Sequence, residues 1–124
     1  MPLVLIVDDN DGNRKLARDI LSGGGFQTLE AESGAEAIAL ALEHLPDVVL
    51  MDLRLPDMDG TEASRTLAID ERTARIPVVA LSALSLKGND EWLEAASFAG
   101  WLEKPIHVAT FAKQVRGFCS EAER

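Results

Sequence analysis

The sequence has a single cysteine, Cys119, among its 124 residues. One thiol excludes an internal disulfide framework and a cysteine-rich zinc site, and it fits a reducing cytoplasm. Basic residues are scarce as well: 12 Lys and Arg stand against 21 Asp and Glu, for a net charge of −9. Such a surface repels phosphate backbones and anionic headgroups. Direct contact with nucleic acid or membrane is therefore not expected, whereas basic or cation-dependent partners remain open. No apolar run approaches the ~20 residues that span a bilayer. The start, Met1-Pro2-Leu3-Val4, has no basic region and no small-residue cleavage site, so no signal peptide is expected. Repeats, low-complexity tracts and Pro- or Ser-rich linkers are missing too. The one glycine cluster, Gly23-Gly24-Gly25, reads as a turn after a helix. What is present is 47% apolar and 27% charged. That is the composition of a globular chain with a real core, at the length of one domain.

Short apolar runs alternate with helical patterns. Leu3–Val7, Val48–Met51, Val78–Leu81 and Gly100–Leu102 are too short for buried helices, and most are rich in Val and Ile. They read as strands covered on both faces, with the more alternating Phe26–Glu30 as a fifth. A first helix begins near Asn10 or Asp11 and turns Leu16, Ala17, Ile20 and Leu21 inward. Ser33-Gly34-Ala35-Glu36 is a capping box for a second helix with Ala37, Ile38, Ala41, Leu42 and Leu45 inside, ended by Pro46. A third spans Thr61–Ile69 with Ala63 and Leu67 inside, and a fourth spans Asp90–Ala99 with Trp92, Leu93 and Ala96 inside. A fifth, opened by His107, turns Val108, Phe111, Ala112, Val115 and Phe118 inward. Five strands each followed by a helix predict a doubly wound α/β fold with a parallel sheet. The flavodoxin-like order 2-1-3-4-5 suits this count and places a switch point between the first and third strands.

Functional groups of such sheets lie past the carboxyl ends of the strands. Here those ends carry Asp8 and Asp9, Asp52, Ser82, and Lys104 followed by Pro105. An adjacent acidic pair alone reads equally as solvated charge or as a helix N-terminal partner. Three carboxylates at neighbouring strand ends resist joint ionisation, and a cation relieves them. Oxygen ligands without His or Cys favour a hard ion such as Mg²⁺. A carboxylate beside that ion is a nucleophile toward phosphorus, with Lys104 and Ser82 offsetting charge on the phosphoryl oxygens. Asp52 is the candidate acceptor because it projects from the central strand without a second acid beside it. Asp8 and Asp9 then hold the metal.

These residues carry a resemblance. Asp8-Asp9 after LVLIV, Asp52 in VVLMDLRLPDMDG, Ser82 in PVVALSA and Lys104-Pro105 in GWLEKPI resemble a response-regulator receiver domain of two-component systems over the whole chain. The resemblance implies the CheY-like form of the flavodoxin-like fold in a single receiver domain, residues 1–124. It implies phosphoryl transfer to Asp52 from a histidine kinase or histidine phosphotransfer protein. It implies Mg²⁺ held directly by Asp9 and Asp52, by Asp8 largely through water, and by the backbone carbonyl of Arg54. It also implies that Lys104 pairs with acid and phosphoryl oxygens and that Lys104-Pro105 is a cis peptide. Asp9-Asn10 followed by Asn13, with Lys87-Gly88, is similar to stand-alone receivers of the DivK type and to receivers at the ends of hybrid kinases. With no effector domain expected after the fifth helix, output would be a protein contact, by a monomer or a phosphorylation-dependent dimer in the cytoplasm. The protein would not be an enzyme beyond its own phosphorylation and dephosphorylation.

In receivers Ser82 would follow the added charge inward and Trp101, where Tyr or Phe is usual, would act as the switch. The alternative is an aromatic that covers the sheet edge. The output face would carry Lys87, Glu91, Glu94, Glu103, Lys113 and Arg116, or these are simply solvated charges. The phosphodonor would dock on the first helix beside Asn13, Arg14 and Lys15. Arg54 would attract or shield phosphoryl oxygens, or be a solvated loop residue. His44, His107 and Cys119 read as a helix-end cation, a helix opener and a small apolar residue. Pro56 and Gly60 shape the loop, and Met51 and Met58 pack. Competing functions are a receiver excised from a hybrid histidine kinase, a Mg²⁺-dependent aspartyl-phosphate phosphohydrolase and an adaptor that binds without phosphorylation. Flavin binding is disfavoured because no Gly-rich phosphate loop follows the first strand.

Overall fold

The computed structural model describes residues 1–119. Along them run β1 (Leu3–Val7), α1 (Asp11–Gly23), β2 (Gln27–Ala31), α2 (Gly34–His44), β3 (Val48–Asp52), α3 (Gly60–Ile69), β4 (Val78–Ser82), α4 (Asp90–Ala95), β5 (Gly100–Glu103) and α5 (Phe111–Phe118). The strands pair in parallel in the order β2-β1-β3-β4-β5, as the alternation predicts.

Successive strand residues face opposite sides of the pleat, so β1, β3, β4 and β5 each feed two cores. Leu5, Val7, Val49, Met51 and Ala80 pack with Ala37, Ala41, Ala63, Leu67, Leu93 and Ala96. Val4, Ile6, Val48, Leu50, Val79 and Leu81 pack with Ala17, Leu21, Phe111 and Val115. Thus α2, α3 and α4 cover one face and α1 and α5 the other. This is why β1, β3 and β4 are apolar almost throughout, whereas the edge strand β2 carries Gln27, Thr28 and Glu30. Among the described residues no helix is long and apolar enough to cross a membrane.

Caps set the helix starts. The Asn10 side chain accepts from the Asn13 N–H at 2.9 Å, and Ser33 Oγ accepts from the Glu36 N–H at 3.2 Å. Glu36 does not close the expected reciprocal bond to Ser33; its carboxylate accepts instead from the Glu32 N–H at 2.7 Å. The glycine cluster turns as expected, with Gly25 at φ 90°.

Several inward residues predicted from periodicity point outward. Leu45 is the left-handed cap of α2, φ 48°, which swings its side chain into solvent. Trp92 is exposed, because Leu93, Ala96 and Phe98 are the residues of that segment that point at the core; the indole lies across Phe98, ring centroids 6.0 Å apart. The fourth helix is also shorter than predicted. Ser97 adopts φ 64° and the Phe98 N–H returns to the Leu93 carbonyl, ending α4. Val108 is exposed because α5 begins only at Phe111, after a turn in which the His107 carbonyl accepts from Thr110 and Phe111. His107 therefore precedes the helix rather than opening it. Leu16 lies at the exposed margin of α1.

Candidate functional site

The sheet order puts the ends of β1 and β3 side by side, so Asp8, Asp9 and Asp52 converge. One carboxylate oxygen from each lies within 4.8 Å of the others. Asp8 is 2% exposed and Asp9 is exposed, which gives the cluster a buried and a solvent-facing side. Lys104 arrives from the far side of the sheet. Its ammonium stands 2.9 Å from Asp8 Oδ2 and 3.3 Å from Asp52 Oδ2. The Lys104–Pro105 bond is cis, and the Lys104 N–H donates to the Ser82 carbonyl at 2.7 Å. Ser82 ends β4, buried, and its Oγ accepts from the Leu84 N–H at 3.1 Å. All five strand-end residues expected from the sequence thus border one cleft of about 700 Å³, which Arg54 also lines. Trp101 does not reach it; half-buried on β5, it packs against the core on the α2–α4 side.

The charges press on one another. Burial raises the Asp52 carboxyl above its ordinary value; the Lys104 charge works against this and the Asp8 charge adds to it. Burial pulls Lys104 down, but its hydrogen bond to Asp8 and the charges of Asp52 and Asp8 outweigh that and hold the ammonium above its ordinary value. Asp52 Oδ1 also accepts from the Arg54 N–H at 3.3 Å. The donor set is all oxygen, and its 4.8 Å span compares with about 4 Å between opposite ligands of a six-coordinate Mg²⁺. These residues fit a small hard cation, with Lys104 as the resident counter-charge.

Two residues escaped the sequence reading. Arg14, expected on a docking surface, is 7% exposed and faces inward. Its Nη1 donates to the Asp8 carbonyl at 2.6 Å, and its other nitrogens pair with Asp11, Glu30 and Glu32. A signal existed: Arg14 stands three and seven residues before Ala17 and Leu21, on the inward face of α1. Asp57 lies within the VVLMDLRLPDMDG stretch and has no expected role of its own. Its carboxylate accepts from the Gly34 and Ala35 N–H groups at 2.8 and 2.9 Å, tying the β3–α3 loop to the start of α2. Nothing local to Asp57 shows this. Asn13, expected at the docking surface, also donates its amide to Asp8 Oδ2 at 3.2 Å.

The response regulator receiver domain family matches residues 4–116. The chain is 39% identical over 119 residues to the polar-differentiation response regulator DivK of Brucella ovis, covering 96% of this chain and 97% of that protein. The chemotaxis protein CheY4 of Vibrio cholerae has a similar structure, with a TM-score of 0.88 and 27% identity over 95% of this chain and 98% of that one. So does the receiver domain of a sensor histidine kinase from Pseudomonas aeruginosa, solved with a magnesium ion coordinated in its active site cleft. There the TM-score is 0.84 and the identity 30%, over 94% of this chain and 96% of that one. Strand order, strand-end residues and sequence agree: the chain belongs to the response regulator receiver domain family and is a response regulator of two-component signalling.

Proposed function

We propose that this receiver accepts a phosphoryl group on Asp52 from the phosphohistidine of a histidine kinase or histidine phosphotransfer protein. One observation carries the reading: the Lys104 ammonium touches Asp8 at 2.9 Å and Asp52 at 3.3 Å beside three clustered carboxylates. An Asp52 oxygen attacks phosphorus. The new O–P bond forms as the N–P bond breaks, and the imidazole nitrogen keeps the electron pair and takes up a proton. Lys104 then pairs with the phosphoryl oxygens, and the Ser82 hydroxyl turns from accepting the Leu84 N–H to donating to one of them. Asp9 and Asp52 would hold Mg²⁺ directly, Asp8 through water, and the Arg54 carbonyl would complete the protein ligands. Bound there, the ion offsets charge on the group in transfer.

The aspartyl phosphate carries about two negative charges where the carboxylate carried about one. Ser82 follows that charge, and Trp101, half-buried on the neighbouring strand, moves into the space it leaves. The signal leaves through the face of α4, β5 and α5 to a downstream protein, from a monomer or a phosphorylation-dependent dimer. The phosphodonor docks over α1 beside Asn13 and Lys15. Residues 1–124 work in the cytoplasm as one receiver domain whose chemistry is limited to its own phosphorylation and dephosphorylation. Acetyl phosphate with Mg²⁺ is expected to add one phosphoryl group to the wild type and none to Asp52→Asn, read by intact-protein mass spectrometry. Equal labelling of the two would refute the assignment of Asp52.

A further inference from the structure

We infer that Arg14 is a positioning residue for the divalent-cation site, its guanidinium pinning the Asp8 carbonyl and thereby the turn that carries Asp8 and Asp9. The inference rests on the reading of the cleft as a cation site. Arg14 is buried, and its planar fork is held on several sides. Nε donates to Glu30 at 3.3 Å, and Nη2 to Glu32 at 3.2 Å and to Asp11. Arg18 Nη1 in turn grips the other oxygen of Glu30 at 2.9 Å. With the guanidinium fixed by carboxylates from α1 and from the end of β2, Nη1 presents one donor to the Asp8 carbonyl at 2.6 Å. The Asp8 N–H is held from the other side by the Ala31 carbonyl at 3.1 Å. The Asn10 N–H closes onto Asp8 Oδ1 at 2.9 Å. The peptide joining Asp8 to Asp9 is therefore clamped on the Asp8 side. Without Arg14 it can rotate, and Asp9, exposed and with no side-chain hydrogen bond among the described residues, swings away from Asp52.

Charge and positioning predict opposite signs. As a cation, Arg14 opposes a divalent ion nearby, so its removal by charge alone would tighten binding. As an anchor, its removal weakens binding, and residues behind metal ligands act on the order of 10-fold or more. The experiment is calorimetric titration of the full chain with Mg²⁺ alone. Arg14→Met is expected to bind about 10-fold more weakly. Arg14→Lys keeps the charge but has one nitrogen for several divergent partners, and it is expected to weaken as well. Arg18→Met removes a cation from the same cluster without touching Asp8, and is expected to bind as tightly as the wild type or more so. A second readout needs no metal: amide exchange at the Asp8 and Asn10 N–H groups should be about 10-fold faster in both Arg14 variants, with β4 unchanged. Binding by the Arg14 variants as tight as wild type, or equal weakening by Arg18→Met, would overturn the inference. If the wild type itself binds no Mg²⁺, the cation reading of the cleft fails; unchanged exchange then overturns the anchor independently. Should Arg14→Met not fold, Arg14→Lys answers both measurements.

Discussion

Replacing Gly60 by alanine should damage both stability and phosphorylation, although Gly60 has no functional group. A Cβ there would stand 2.3 Å from the Asp52 carbonyl oxygen, 3.0 Å from Leu53 Cα and 3.1 Å from the Asp52 carbonyl carbon. Carbon and carbonyl oxygen settle at about 3.3 Å or more, so the gap must open by about 1 Å. All three neighbours are backbone, so no side-chain rotation makes room. Either α3 withdraws, stretching the 2.9 Å bond from the Gly60 N–H to the Leu53 carbonyl and the Arg54–Asp59 bridge, or Asp52 shifts. Overpacking of this kind costs about 1–3 kcal/mol. A displacement of about 1 Å at a reacting group can cost on the order of 100-fold in rate. Urea denaturation followed by circular dichroism reads the first, and the rate of Mg²⁺-dependent labelling by acetyl phosphate reads the second. Gly23→Ala is the control: a Cβ at that last residue of α1 meets nothing within 4 Å, so its effect should be neutral or stabilising by up to about 1 kcal/mol. Gly60→Ala with wild-type stability and wild-type labelling would refute the steric account.

Asp57 should titrate low. The N–H groups of Ala35 and Gly34 stabilise its ionised form and hold it below its ordinary 3.8. Its contribution to stability is therefore full above the unfolded value and lost as pH falls through the depressed folded one. A carboxyl-carbon NMR titration with a midpoint at or above 3.8 would contradict this cap. In a Trp92→Phe background, occupation of Asp52 by a beryllofluoride mimic should shift the emission of Trp101 and change its quenching. An unchanged spectrum with Asp52 occupied removes Trp101 as the switch. Thr73, 1% exposed, donates its hydroxyl to the Leu67 carbonyl at 2.6 Å near the end of α3. Thr73→Val keeps the shape and should cost about 1 kcal/mol in urea denaturation, with an unmoved midpoint as the contrary result.

The outcome for each part of the chain follows the range of the forces involved. The strands were legible because burial on both faces demands unbroken Val, Ile and Leu, and that demand is written locally in Val4–Val7 and Val48–Met51. The strand ends were legible because parallel topology delivers them all to one edge, which makes Asp8, Asp9, Asp52, Ser82 and Lys104 neighbours. Leu45 and Val108 are misplaced where a helical stripe breaks off, at the left-handed Leu45 and before the late start of α5 at Phe111. Leu16 and Trp92 lie inside α1 and α4, at the exposed margin of the stripe. Periodicity reports which face a residue would occupy, not where the backbone leaves the helix.

Composition and spacing by themselves determined the α/β class and the five polar groups that end the strands; the order 2-1-3-4-5 suited five strands, and the pairing of the folded sheet fixes it. The class and the strand ends depend on hydrophobic patterning, which acts residue by residue along the chain. Only the tertiary structure decided that the Asp8 carbonyl, Glu30 and Glu32 hold Arg14 and that Asp57 caps a helix 22 residues away in sequence. A charged side chain looks the same in any sequence window; its role depends on which distant carbonyls, carboxylates and N–H groups folding brings within about 3 Å of it.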